Sequence, residues 1–401
     1  MSPRRLAALA VALAAAVHAP AVGAAVAKPD PGGRAAILVD ARTGDVLLEE
    51  NAAVERPIAS ATKLMTALLT LERTRPEQVF VAAPYRASPI ESKINLRRGE
   101  RMRVDDLLEA LLLESANDAA VTLAENIAPS RKAFVALMNS RARELGLEDT
   151  SYANPIGFDD PANHSSARDL ATLARRLLAN PLFARIVDLP VATLETGARE
   201  RVVRNRNRLI ARVPFVNGVK TGRTRGAGYV LVGSATGRGA TVVSVVLGEP
   251  SESARDADTL ALLRYGLDQF RRVPVLRAGR ELARADVRWH DGEVALASGG
   301  SFALTVRRGE RPRAVVDVPE ELEGPLAKGE RVGTVRVTSK GRTVHTAPVL
   351  TAEEVPGAGL PRRISSTLGG ALTLLLALGV IAAAGLGGLR LRAVRRSRAR
   401  A

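Results

Sequence analysis

The stretch "AAILVDARTGDVLLEE", residues 35–50, reads as two strands around a turn at Arg42-Thr43-Gly44-Asp45. From there to about Val187 the apolar positions take helical spacing. Clear cases are "VDDLLEALLLE", which carries Asp105 and Asp106 at its start, and "RDLATLARRLLA". Strand patterns return in "VNGVKTGRTRGAGYVLVGSATGRGATVVSVVLG", with breaks expected at Asn217-Gly218 and at glycine turns between 233 and 239. A helix, "RDADTLALLRYGLDQF", closes the segment. Strands first and last with helices between them predict an α+β fold, an antiparallel sheet packed against a helical cluster, over residues 28–272.

After Val273 the pattern changes to short alternating runs such as "EVALAS", "FALTV", "RAVVDV", "RVGTVRVT" and "TVHTAPVL". Turn signals at Asp291-Gly292, Arg308-Gly309, Lys328-Gly329 and Lys340-Gly341 separate them, which predicts a small all-β domain over 273–350. A Pro/Gly-rich linker, 351–363, leads to the uncharged run Ile364 to Leu389, long enough for a transmembrane helix. The arginines of the 390–401 tail then place that end in the cytoplasm. A buried core helix is the other reading of this run. Residues 1–27 have the build of a secretion signal: Arg4 and Arg5, an apolar Leu6–Val17 stretch, and cleavage sites after Ala24 or Ala27. An uncleaved anchor is the alternative there. The chain is thus expected at the cell membrane, crossing it once, with its body outside.

Composition narrows the chemistry. Hydrophobic content of 46% and charged content of 25% are those of a globular protein. The net charge of +16 suggests nucleic acid, but the arginine is partly in the tail and otherwise scattered, with aromatics at only 3%; we expect no nucleic-acid partner. With no cysteine there is no disulfide or thiol catalysis, and His164, His290 and His345 lack metal-binding spacing. Neither a metal nor a cofactor is expected. Of 58 basic residues only seven are lysine: Lys28, Lys63, Lys93, Lys132, Lys220, Lys328 and Lys340. A chain that writes arginine almost everywhere draws attention to its lysines, because only lysine can lose its proton.

Lys63 stands in "PIASATKLMTALLT", one turn after Ser60 and on the same helical face. Simple helix capping by Ser60 is one reading, but a capping box wants Glu or Gln at position 63. Near a helix N-terminus and partly buried, the ammonium should lose proton affinity, as a general base toward a serine hydroxyl requires. "LLLESANDAAVTLAE" offers Ser115 and Asn117 between two helical runs, either as a second hydroxyl and carboxamide or as caps of the next helix. "VNGVKTGRTRGAGYV" sets Lys220, Thr221 and Gly222 on a strand, where the glycine permits close approach by a ligand or backbone, or else forms a bulge.

SxxK, SxN and KTG in this order resemble the serine penicillin-binding and β-lactamase group. With "PIASATKLMTALL", "YANPIGFDDPANHSSARDLATLAR" and "NGVKTGRTRGAGYVLVGSA" around them, nearly the whole exported chain is similar to the low-molecular-mass D-alanyl-D-alanine carboxypeptidases. The resemblance implies a β-lactamase/transpeptidase-like catalytic domain, peptidoglycan stem peptide as substrate and β-lactams as covalent inhibitors. It implies that Ser60 attacks the carbonyl between the terminal D-alanines while Lys63 accepts its proton. Backbone N–H groups of Ser60 and Arg223 would form the oxyanion hole. Ser115 would relay a proton to the leaving D-alanine and Asn117 would hold the substrate backbone. Lys220 would keep the site electropositive, and Thr221 would bind the terminal carboxylate. Arg206 and Arg255 match family arginines proposed to assist there, with a surface salt bridge as the alternative for each.

Two features depart from the family. Arg223 stands where relatives often carry histidine, and the C-terminal run is of spanning rather than amphipathic character. His164 is expected to be structural. A serine β-lactamase is one rival reading, but no Glu-x-x-Leu-Asn run occurs between Glu148 and Asp169. A non-catalytic envelope scaffold is the other, against which the intact motif set argues.

Overall fold

A computed structural model describes residues 27–360, 362–363 and 370–398. The expected signal sequence lies outside them except for Ala27, as does the start of the expected membrane span. The described chain divides between Arg271 and Arg272 into two compact units.

The first unit is built on a five-stranded antiparallel sheet in the order Val46–Glu50, Ala35–Asp40, Ala240–Glu249, Gly228–Gly237, Val216–Thr224. Its strands separate their side chains by period two. Ile37, Val39, Val230, Val232, Val243 and Val245 join one core. Ala36, Leu38, Leu231, Val242 and Val246 join another on the opposite face. The first core is filled by helices Lys63–Arg73, Asn117–Ile127, Arg131–Glu144, Ala167–Leu178 and Pro181–Asp188. The second is filled by Glu252–Asp268 through Leu262, Leu263 and Leu267. The sheet is therefore covered on both faces, by the expected helical cluster on one and by the closing helix on the other.

One of the expected breaks is absent, and the other is confined to the end of its expected range. Asn217 and Gly218 lie inside the strand Val216–Thr224, where only the register with the next strand shifts. Gly233 also lies inside a strand, and its reason is steric. A Cβ there would sit 2.7 Å from Thr259 Cγ2 and 2.8 Å from Ser244 Oγ, so glycine lets the Glu252–Asp268 helix seat on the sheet. The turn itself falls at Arg238-Gly239, between the strands ending at Gly237 and starting at Ala240.

The second unit holds a six-stranded sheet in the order Arg313–Asp317, Arg331–Ser339, Arg342–Thr351, Glu293–Ser298, Glu281–Val287, Glu321–Leu322, and a pair formed by Phe270–Leu276 and Phe302–Arg307. Leu296, Val335, Val337, Val349 and Val355 are its fully buried core. Val355 and the bridge between it and Leu326 carry this fold past Leu350, the boundary expected from the alternation. Beyond the linker a helix runs Gly370–Arg398, with Leu374, Leu376, Val380, Ile381 and Leu386 exposed. Among the described residues no helix is long and apolar enough to cross a membrane.

Candidate active site

The nucleophile turn is not a capped helix start. Ser60 lies in a 3-10 turn, Ala59–Thr62, and Lys63 opens the α-helix that follows; no side chain caps either. Buried Ala59 takes φ of 47°, in the left-handed region that costs a non-glycine residue about 1–3 kcal/mol. Two contacts help hold that turn. Gly157 abuts the Ala59 carbonyl so closely that any Cβ would overlap it. A Cβ on Gly222 would lie 3.0 Å from the Ser60 nitrogen and 3.0 Å from Ala59 Cβ. Gly222 is thus the place where the KTG strand reaches the serine backbone, and the close-approach reading of that glycine holds.

Lys63 is fully buried. Its Nζ lies 3.1 Å from Ser60 Oγ, 2.7 Å from Asn117 Oδ1 and 2.6 Å from the Ile156 carbonyl. Burial holds its pKa well below the ordinary lysine value, and the neighbouring Lys220 lowers it further; Glu91 and Asp118 oppose that shift. The direction is the expected one, and burial, one of the two causes expected from the sequence, leads; the second is another ammonium, Lys220, in place of the helix terminus.

Ser115 ends the run Ala110–Glu114, a π turn wider than an α-helix, and takes φ of 61°. Neither Ser115 nor Asn117 caps the next helix, whose cap is Ala116 without a side-chain bond. Asn117 instead turns inward at the first helical position. It accepts from Lys63 and donates Nδ2 to Glu91 at 2.8 Å.

On the KTG strand, Lys220 and Thr221 are buried. Lys220 Nζ donates to the Thr221 carbonyl at 2.9 Å. Burial, then Arg206, then Arg255 bring the Lys220 pKa down to about 7, against a raising influence of Glu114. Both arginines therefore lie within electrostatic reach of Lys220, and both are paired. Arg206, half exposed, pairs with Glu114. Arg255 is buried and pairs with Asp256 at 2.6 Å and Glu252 at 3.4 Å. Arg223 is exposed, with its guanidinium 5.1 Å from the Tyr229 ring centre. His164 pairs in a short strand with Pro57, and its Nδ1 lies 3.1 Å from the Pro161 carbonyl.

The fold thus ties Ser60, Lys63 and Asn117 by hydrogen bonds and sets Lys220 close enough to act on Lys63. Several participants carry no motif. Ile156 contributes only its carbonyl, which leaves no side-chain signal. Asp159 accepts from Thr224 Oγ1 at 2.5 Å and from Gly226 N–H at 2.9 Å, anchoring the chain just beyond KTG. Glu91 lies in an aperiodic connection, and nothing in its spacing links it to Asn117.

Residues 23–251 match the D-alanyl-D-alanine carboxypeptidase family, peptidase S11. Residues 270–357 match the penicillin-binding protein 5 C-terminal domain. The D-alanyl-D-alanine carboxypeptidase DacF of Bacillus subtilis is 31% identical over 350 residues, 84% of this chain and 89% of the relative. DacA of Escherichia coli is 33% identical over 336 residues, 80% and 83%. The crystal structure of penicillin-binding protein 5 from Haemophilus influenzae superposes with a TM-score of 0.59 at 29% identity, covering 83% of this chain and all of that one. The Streptomyces K15 DD-transpeptidase does so at 0.57 and 30% identity over 60% of this chain and 99% of its own.

Proposed function

The chain belongs to the D-alanyl-D-alanine carboxypeptidase family of low-molecular-mass penicillin-binding proteins, and from that premise we propose which of its residues carry the reaction. The enzyme is a serine hydrolase that removes the terminal D-alanine from peptidoglycan stem peptides through an acyl-serine, and β-lactams inhibit it.

Ser60 Oγ is the nucleophile and neutral Lys63 its base. What carries this reading is the company that Lys63 keeps. A neutral amine has two N–H donors and one lone pair. The Asn117 and Ile156 oxygens accept the two donors, which turns the lone pair to the Ser60 hydroxyl at 3.1 Å. Burial and Lys220 supply the lowered proton affinity that this state needs.

As Ser60 attacks, the N–H groups of Ser60 and Arg223 receive the oxyanion. Ser115 passes the proton to the departing D-alanine nitrogen, and water then cleaves the ester. Lys220 and Thr221 receive the substrate's terminal carboxylate, with Arg206 and Arg255 adding positive potential behind them. With a pKa of about 7, Lys220 gains affinity for its proton when that carboxylate arrives, so binding and charging of the site go together. Asn117 has both ends engaged in the free enzyme, so we assign it to orienting Lys63 before it meets substrate.

We assign residues 1–27 to a cleaved export signal, 28–272 to the catalytic domain and the chain from 273 through Val355 to a non-catalytic β domain. The rest of the 351–363 stretch links it to a membrane span at 364–389, and residues 390–401 form a cytoplasmic tail. The uncharged run, the exposed leucines of its described part and the arginines behind it support this anchoring, with the catalytic domain outside the membrane.

The test uses a diacyl-L-Lys-D-Ala-D-Ala peptide and a fluorescent penicillin on the wild type, Ser60→Ala and Lys63→Arg. The wild type releases D-alanine and is labelled. Both variants lose on the order of 10³-fold or more of each activity while staying folded. Substantial activity in Lys63→Arg would remove the lysine from the role of base, since arginine cannot take the proton.

A further inference from the structure

Glu91 lies between the short strands Val79–Val81 and Arg101–Arg103, outside every catalytic motif. Its Oε2 accepts from Asn117 Nδ2 at 2.8 Å and from the Tyr85 hydroxyl at 2.5 Å. Its Oε1 accepts from the Ser88 N–H at 2.7 Å. An ionised carboxylate only accepts hydrogen bonds, whereas a carboxamide has a donor end and an acceptor end. Facing Glu91, Asn117 must present its NH2 group, and this turns its oxygen to Lys63 at 2.7 Å.

The orientation matters for the base. A flipped Asn117 would aim N–H at Lys63 and compete with the Ser60 hydroxyl for the single lone pair. It would also set its oxygen against the Glu91 carboxylate. We propose that Glu91 is a positioning residue of the acylation step: it locks the Asn117 carboxamide so that the Lys63 lone pair stays on Ser60. It is also a negative charge near Lys63 that raises its proton affinity against burial and Lys220, and so contributes to the pH at which the base becomes available. This inference rests on Lys63 being the base, as read above.

The surrounding groups favour that role. Burial by itself would raise the Glu91 carboxyl, but hydrogen bonds from Tyr85, Asn117 and Ser88 outweigh it, with help from Lys93, and hold it below the usual carboxylate value. Burial, and then Glu91, push the Tyr85 hydroxyl up, so it stays a donor through the neutral range. Three charged groups act on Lys63: Lys220 lowers its proton affinity, while Glu91 and Asp118 raise it. Asp118 is occupied by the Ile94 and Leu96 N–H groups, so its carboxylate is held by backbone alone.

Glu91→Ala and Glu91→Gln in the full chain separate the two parts of the proposal. Both are assayed for D-alanine release and penicillin acylation across pH, with thermal midpoints recorded. Glu91→Ala frees Asn117 to flip and should lower the plateau kcat on the order of tenfold, with KM changed far less. Glu91→Gln keeps an amide oxygen for Asn117 and should recover most of that loss. Both remove the charge that holds a proton on Lys63, so the acid limb of kcat should move to lower pH in each. Where Glu91→Ala does not fold, the acid limb of Glu91→Gln decides.

An acid limb unmoved in both variants would overturn the proposal, whether or not the rate falls. A fall in rate with that limb fixed would make Glu91 a loop-stabilising residue only. A wild type that neither releases D-alanine nor is acylated would remove the underlying reading, and the control shows this before any variant is compared.

Discussion

In the unit that ends at Arg271, charge goes inside: Lys63, Lys220, Arg201, Arg255, Glu100, Asp106 and Asp118 are all buried. In the unit that begins at Arg272, the buried polar residues among the described ones are Ser298 and Thr351, and ion pairs such as Arg284–Glu281 stay open to water. Both units are built on antiparallel sheets with apolar cores, so the sheet does not explain the contrast. Removing a charge from water costs several kcal/mol unless partners replace the water. A fold keeps such groups where the cost shifts proton affinity usefully or where hydrogen bonds hold a working loop in place. The first unit buries such charges, and among the described residues the second buries none.

The largest effect on stability should come from breaking the Arg201–Glu100 pair, whose shortest contact is 2.8 Å. Arg201 also donates Nε to the Ile94 carbonyl at 2.9 Å, tying down the connection that carries Glu91. Arg201→Met leaves the buried Glu100 without its cation, held only by the Arg97 and Ala198 N–H groups, and should cost about 3 kcal/mol by urea titration. A loss too small to measure would break the contrast between the units. Gly222→Ala comes next. Its methyl would press on the Ser60 turn and should lower kcat/KM for D-alanine release by about 100-fold, with the fold retained.

A third effect is pH-dependent. Lys220 holds its proton to about pH 7 when folded and to about 10.4 when unfolded. Below 7 both states are charged and the cost of burying the ammonium is constant. As pH rises from about 7 toward the unfolded value, the folded state has already released the proton. The unfolded state then binds more protons, so stability climbs with pH. Lys63 acts with the same sign. Lys220→Met should flatten part of that climb, and an unchanged slope between pH 7 and 9 would count against a neutralised Lys220. The smallest effect is reserved for the β unit. Arg284→Ala removes an exposed pair and should leave the denaturation midpoint where it was.

Much of the catalytic unit was legible in order along the chain. The strands at 35–50, the helices from Lys63 to Asp188 and the KTG strand follow from period and turn chemistry. Lysine scarcity was a sound guide as well: of the seven lysines, only Lys63 and Lys220 are buried. The misses have local causes. Asn217-Gly218 and Gly233 read as breaks because glycine usually marks turns, yet Gly233 serves packing against the Glu252–Asp268 helix. Glu91 and Asp159 were invisible because they act on partners 26 and 65 positions away in the chain.

The sequence by itself determined the residue types and their order: a serine one turn before a lysine, a carboxamide and hydroxyl at a helix junction, and a lysine before a glycine on a strand. Those facts are local, and local spacing is what helical and strand periods encode. Only the tertiary structure decided the direction in which the proton affinity of Lys63 shifts. Proton affinity depends on water excluded and charges brought near. For Lys63 the leading causes are burial in the core and Lys220, which lies 157 residues away in the sequence. No period in the chain contains that distance, and the fold closes it.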